Sequence, residues 1–383
     1  MNKFILVSSF IIFTFSLLAQ NRELYQRDLN PYIPNKTVQA RILHRQDSSF
    51  LLVDAAMQDF MLTLRVYDEY DGRKLLNEQF HNSQKLTFIH NQTLVYLPIP
   101  ADRKLWAVEL QINGNGFDYS DILWGNRAQE NEQSIFILQN GAFQPRKFVN
   151  TAQTYTLQAR DVNIERFYLK FFANPTQAAK AIYITETDKF NPLKGYTELL
   201  TVSKGQNFSF NKEGTYFIQT DTLSNKGCFV LAQNPDFPRP TRLADLLQPL
   251  RYLTKNAEWD KINNASDKKI ELDAFWLARH KDKERARQLL RLYYLRTEEA
   301  NLYFSSHKAG WQTDKGLVYL IFGTPDIVRK FSSKEVWFYK DANPRQPVEF
   351  VFERVGELYY LERDRAYRQV WDLQIDRWRR GKI

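Results

Sequence analysis

Residues 58–72 read QDFMLTLRVYDEYDG, and in them Phe60, Leu62, Leu64 and Val66 occupy every second position ahead of an Asp71-Gly72 pair. That spacing places four apolar side chains on one face of a strand, and the pair that follows suits a tight hairpin. The same pattern recurs to either side. Trp106, Val108, Leu110 and Ile112 alternate before Asn113-Gly114-Asn115-Gly116, while LTFI, LVYLPI, DILW and SIFIL supply further apolar runs separated by turn residues. About eight short strands at roughly ten-residue spacing predict an antiparallel sandwich of immunoglobulin-like type over residues 20–145.

After a loop containing Gly141 and Pro145 the alternation restarts with Tyr155, Leu157 and Ala159, then Phe167, Leu169 and Phe171. AIYIT, TELLTV, FSF, GTYFIQT and GCFVLA follow with no helical period, so residues 146–233 read as a second β-sandwich domain. The prolines of Asn234-Pro235-Asp236-Phe237-Pro238-Arg239-Pro240 predict an extended linker over 234–240. Beyond it the period changes. Leu243, Leu246, Leu247, Leu250 and Leu253 form a helical stripe, and a long helix is expected from about Asp273 to Phe304. Leu317–Phe322 reads as a buried strand, Glu335–Tyr339, Val348–Phe352 and Glu357–Leu361 as further strands, and Arg365–Trp378 as an amphipathic helix. The fold class is therefore multi-domain, mainly β and then α+β: two immunoglobulin-like β-sandwiches followed by residues 241–383 as the α+β domain.

The chain opens MNKFILVSSFIIFTFSLLAQN: a charge at Lys3, an apolar stretch from Phe4 to Leu18, and a small residue at Ala19. This is the pattern of a signal peptide over residues 1–19, cleaved to leave Gln20 first, and it predicts export to the periplasm or the outer membrane. The stretch falls short of the roughly 20 residues a membrane span needs. The single cysteine, Cys228, lies in an apolar run, so neither a lipid anchor near the N-terminus nor an intrachain disulfide is expected. Packing has to supply the stability, for which 43% hydrophobic and 15% aromatic residues are ample.

Of the net charge of +9, most sits in residues 241–383, which hold 28 Lys/Arg against 21 Asp/Glu. Export would remove nucleic acid as a partner and leave an envelope protein, an anionic glycan or a membrane surface. Nothing resembles a GxSxG elbow, an HExxH helix, a P-loop or a Cys/His zinc pattern, and the histidines are only His44, His81, His90, His280 and His307. Cys228 in apolar surroundings is a poor nucleophile. No catalytic, cofactor-binding or metal-ligating residues are therefore expected. The alternative is a hydrolase of envelope glycan or peptide that pairs Asp314 with Asp326 or Glu298 and uses His307.

Gly310-Trp311-Gln312-Thr313-Asp314-Lys315-Gly316, followed by VYLIFGTPD, resembles the signature of the GWxTD domain family of exported proteins in Bacteroidota-type bacteria. Phe275-Trp276 with Arg279, then Tyr293-Tyr294, Arg296, Ala300-Asn301 and Phe304, resemble the helix that precedes the signature, and Trp337 a downstream aromatic. Arg279-His280-Lys281-Asp282 departs from the family pattern in lacking its proline and its Asn-Glu pair. The resemblance implies an α+β domain behind β-sandwiches and carries no established activity. Physically, Gly310 suits a positive-φ position, Thr313 or Asp314 a cap or turn, and Gly316 the entry to a buried strand, with Trp311 packed on the long helix. Trp311, Thr313, Asp314, Arg279 and Trp276 are the candidate binding residues. The function expected is a non-catalytic cell-envelope protein, an interaction or scaffold component with sandwich spacers.

Overall fold

The computed structural model describes residues 27–383 except 33–37, 46–47, 56–58, 69–73, 87–91, 100–104, 115–116, 127–134, 145, 160, 174–176, 188, 280–281, 341 and 343–345. The expected signal segment and the Asp71-Gly72 turn lie outside the described residues. The chain is mostly β-sheet, followed by an α+β unit.

Seven strands come first: β1 (Val38–Arg45), β2 (Ser48–Ala55), β3 (Met61–Asp68), β4 (Leu75–Asn82), β5 (Gln92–Leu97), β6 (Leu105–Gly114) and β7 (Phe117–Asn126). They form a sheet of order β1-β2-β5 and another of order β4-β3-β6-β7. The alternation in residues 60–66 does what its period requires. Leu62 pairs with Ile112, Leu64 with Leu110 and Val66 with Val108, and all six side chains are fully buried. Complete burial of such a side chain stabilises by about 1.5–3 kcal/mol. The opposite face of this sheet is also covered, because Tyr67, Ala107 and Ile122 join the core of the α+β unit.

The second group comprises β8 (Ile135–Gln139), β9 (Ala142–Phe143), β10 (Phe148–Asn150), β11 (Thr156–Ala159), β12 (Arg166–Phe172), β13 (Glu198–Ser203), β14 (Gly214–Gln219) and β15 (Cys228–Gln233). Their sheets run β11-β8-β9 and β10-β15-β14-β12-β13. The SIFIL strand, expected to close the first sandwich, instead pairs with β11, so a boundary at residue 145 separates strands that are hydrogen-bonded to each other. AIYIT, expected as a strand, forms turns instead. Its Ile182 is fully buried in the α+β core, and its Ala181 carbonyl is taken by a side chain described below.

The segment 234–240 is not a free extended linker. Phe237 N donates to Asn234 O at 3.2 Å and Arg239 N to Asp236 O at 3.0 Å, closing turns. Phe237 packs on Phe148, and Asn301 Nδ2 donates to Pro238 O at 3.0 Å.

The α+β unit contains α1 (Leu243–Leu250), α2 (Asn256–Asn263), α3 (Lys268–Leu277), α4 (Lys283–Phe304), α5 (Asp314–Phe322) and α6 (Arg368–Arg379) around a sheet of order β16-β17-β18-β19. The strands are β16 (Ile327–Lys330), β17 (Lys334–Tyr339), β18 (Val348–Val355) and β19 (Leu358–Leu361). Two expectations are corrected. The long helix is two, α3 and α4, and Asp282 starts the second by accepting Glu284 N at 2.9 Å. Leu317–Phe322 is helix α5 and not a strand: Thr313 caps it, and every residue from Asp314 to Phe322 is buried. A helix apolar on all sides belongs in the middle of a core, and its apolar run has no period to distinguish it from a buried strand. No described helix is long and apolar enough to cross a membrane.

Candidate functional site

The signature glycines are fixed by contact. A Cβ on Gly310 would lie 1.8 Å from Ala300 O, and one on Gly316 would lie 1.7 Å from Gly310 O. Any side chain there would push α4, the signature turn and α5 apart. Neither glycine has positive φ, so the left-handed conformation expected for Gly310 is absent; Gly323, just past α5, does have it, at φ 85°.

Between the glycines, the polar groups are consumed locally. Gly310 N donates to Ser305 Oγ at 3.0 Å and Trp311 N to Asn301 Oδ1 at 3.3 Å. Thr313 Oγ1 donates to Gly310 O at 2.8 Å and accepts Gly316 N at 3.1 Å, which makes Thr313 the N-cap of α5. Trp311 is buried and meets Tyr252 edge-on at 6.0 Å between ring centroids. Asp314 accepts Leu361 N at 2.8 Å on one carboxylate oxygen, and on the other it is ion-paired to Arg363, whose side chain is 3% exposed. Arg363 reaches further: it donates to Lys180 O at 2.7 Å and Ala181 O at 2.8 Å. The signature thus fastens β19 and the 177–187 turns of the second sandwich to the start of α5.

Beside this pair lies a second buried one. Lys315 Nζ sits 2.8 Å from Glu335 Oε2 and 3.0 Å from Tyr32 Oη, over the Tyr359 ring at 4.1 Å. Glu335 also accepts from Tyr32 Oη and Trp337 Nε1, both at 2.7 Å. Burial raises the Glu335 carboxyl, but Lys315 and Lys330 overcome it and hold the group at about 2. Tyr32 comes from residues 27–32, which run between the first sandwich and β16: Leu29 N donates to Val328 O at 2.9 Å and Asn30 N to Ser120 Oγ at 2.9 Å.

A cavity of about 200 Å³ opens where these elements meet, lined by Thr313, Asp314, Lys315, Arg363, His307 and the 177–187 turns. His307 is stacked on Phe190, and burial first, then Lys308, lowers its imidazole to about 3.

The sequence candidates divide between two places. Trp311, Thr313 and Asp314 are together in the signature turn. Arg279 and Trp276 belong to another cluster, in which Arg279 lies 2.6 Å from Glu258, which also pairs with Arg379 at 2.8 Å, and Trp276 packs on Tyr293. Asp326 does not join Asp314, since the nine residues of α5 separate them by about 13 Å at 1.5 Å per residue. Lys315, Glu335, Arg363 and Tyr32 were not singled out from the sequence; only adjacency to the signature marked Lys315, and the others are far from it in the chain. Burial raises the Cys228 thiol to about 12, as its apolar run suggests.

The family model of the GWxTD domain matches residues 214–380. This part of the chain is a GWxTD domain. The match starts in β14, before the 241 expected, and the packing gives a reason. Phe217 of β14 and Phe229 of β15 form a cluster with Leu358 and Tyr360 of β19, and Thr215 Oγ1 donates to His307 O. No curated protein matches the chain significantly. Among solved structures, the crystal structure of red sea bream transglutaminase has a TM-score of 0.19 at 12% identity, covering 51% of this chain and 31% of the enzyme. So weak a likeness assigns neither fold nor activity to the GWxTD domain.

Proposed function

We propose that the protein is an exported, non-catalytic scaffold of the cell envelope, in which the sandwiches space and present surfaces and the GWxTD domain holds them in one arrangement toward an envelope protein partner. The observation that carries this reading is the Asp314–Arg363 pair: both carboxylate oxygens of the signature acid are occupied, and the arginine is shared with two carbonyls of the second sandwich. An acid held in this way works as a fastening, with a protein donor on each of its carboxylate oxygens. The hydrolase alternative pairs Asp314 with Asp326 or Glu298, but Asp326 lies at the far end of α5, and Glu298, 3.6 Å from Arg239, does not line the cavity that Asp314 lines. The strand order β1-β2-β5 against β4-β3-β6-β7 supports reading the first sandwich as immunoglobulin-like.

The test has two arms. N-terminal sequencing of the protein from fractionated cells should return Gln20 in the envelope fraction; Met1 in the cytoplasmic fraction overturns export. Crosslinking in intact cells should trap one reproducible envelope protein with the full chain and lose it when residues 38–126 are deleted. A partner retained by that deletion, or hydrolysis of an envelope polymer abolished by Asp314→Asn, overturns the scaffold reading.

A further inference from the structure

We propose that the cavity at the N-terminus of α5 is a binding site for a small organic carboxylate of single negative charge. The first turn of a helix leaves amide N–H groups without intrahelical acceptors. In α5 one of them is met by Thr313, yet Asp314 N and Lys315 N donate to nothing among the described residues, although both residues are buried. Buried amides of this kind are nearly always satisfied in a native protein by side chain, water or ligand. Two side chains lining the same cavity repeat the observation. Arg363 Nε and His307 Nε2 are buried and have no hydrogen-bond partner.

The imidazole of His307 is 4% exposed and neutral near pH 7, and its Nδ1 lies 3.2 Å from Ser306 Oγ. The two main-chain amides and Arg363 Nε are donors whatever the tautomer of His307, and Nε2 joins them in the tautomer whose Nδ1 accepts from Ser306. These donors stand at the positive end of a helix dipole. They call for an acceptor carrying negative charge.

The lining sets the charge and size of that acceptor. In and around the lining, Lys147 is paired with Glu357, Lys180 with Glu186, Arg363 with Asp314 and Lys315 with Glu335, and Lys308 adds one further positive charge, so the small net charge favours a monoanion, while Asp314 at the amides themselves disfavours a dianion. A planar carboxylate meets two adjacent N–H groups with one charge. Tyr303, Phe304, Tyr359 and Tyr360 supply an aromatic wall, and a volume of about 200 Å³ exceeds the ~150 Å³ that accommodates one benzene ring. A single ring or short chain bearing one carboxylate fits.

The probe is sodium benzoate, titrated calorimetrically into the full-length protein, with benzamide and inorganic phosphate as controls. Benzoate is expected to bind saturably in the millimolar range or tighter, and benzamide and phosphate at least tenfold more weakly. Lys308→Gln, at a partly exposed position, should weaken benzoate about threefold with an unchanged melting temperature, and His307→Phe should weaken it at least tenfold. No saturable benzoate binding by the folded protein overturns the proposal. So does equal binding of benzamide or phosphate, or benzoate affinity unmoved by both substitutions.

Discussion

The two ends of α5 are finished in opposite ways. At the C-terminal end carbonyls draw donors from the domain's own core: Ile321 O accepts from Arg296, Gln374 and Trp378, Gly323 N returns to Tyr319 O at 2.7 Å, and Gly323 O, just past the helix, accepts Tyr339 Oη at 2.8 Å. All of those donors belong to the C-terminal unit. At the N-terminal end the side chains are tied to the second sandwich and to residues 27–32, while two main-chain amides are left open. One end completes a domain core, and the other joins domains and keeps donors unspent. A buried helix end without partners is costly, so the contrast separates what the core needs from what contact between domains and a ligand can use.

Several substitutions sharpen or break this contrast. The largest effect is expected from Gly316→Ala, whose methyl would lie 1.7 Å from the Gly310 carbonyl oxygen; the α+β unit should fail to fold, read as loss of its cooperative melting transition. Arg363→Leu should cost about 3–5 kcal/mol in urea unfolding, because Asp314 is left buried and unpaired. The double variant Asp314→Leu/Arg363→Leu should recover much of that loss, and additive costs instead would mean that the pair is not coupled. Trp378→Phe, at the other end, removes one of three donors to Ile321 O and should cost about 1–2 kcal/mol, with no effect on contacts to the second sandwich.

Acid separates the two buried groups near the cavity. His307 has a folded value near 3 against about 6.5 unfolded, so its neutral form contributes stability that is complete above pH 6.5 and is lost as pH falls. Glu335 is depressed to about 2, and its contribution disappears only below about pH 4.3, the unfolded value. Between pH 6.5 and 4.5 the wild type should therefore lose up to about 1.4 kcal/mol per pH unit relative to His307→Phe, and parallel curves would contradict a buried neutral imidazole. The smallest effect is expected from Glu258→Gln. Its ion pairs with Arg279 and Arg379 are part-exposed, so about 1 kcal/mol or less should be lost, and less still in high salt.

How much of this was legible in the sequence follows from what each signal depends on. Leu62, Leu64, Val66 and their partners in β6 were readable because a half-buried strand prints its period into the chain. The run from Leu317 to Phe322 had no period, since α5 is buried on every side, and only Thr313 as a cap residue hinted at a helix. AIYIT looked like a strand because it is an apolar β-branched run, but only Ile182 is buried, and Arg363 and Tyr252 take the carbonyls of residues 179–181 at its entry. The signature located Trp311, Thr313 and Asp314 together. It could not supply Arg363 or Tyr32, since pairing across such separations leaves no local trace in a single sequence.

The docking of residues 27–32 also orders events in time. Tyr32 bonds to Glu335, 303 positions later in the chain, and Leu29 to Val328, so this segment is synthesised early and finds its partners almost last. Asn30 N can meet Ser120 early, but the Leu29 amide must wait for β16 and the Tyr32 hydroxyl for β17, which makes closure of this segment a late, high-contact-order step of maturation. Amide-exchange pulse labelling during refolding should find Leu29 N protected after Leu64 N, although it lies ahead of it in the chain.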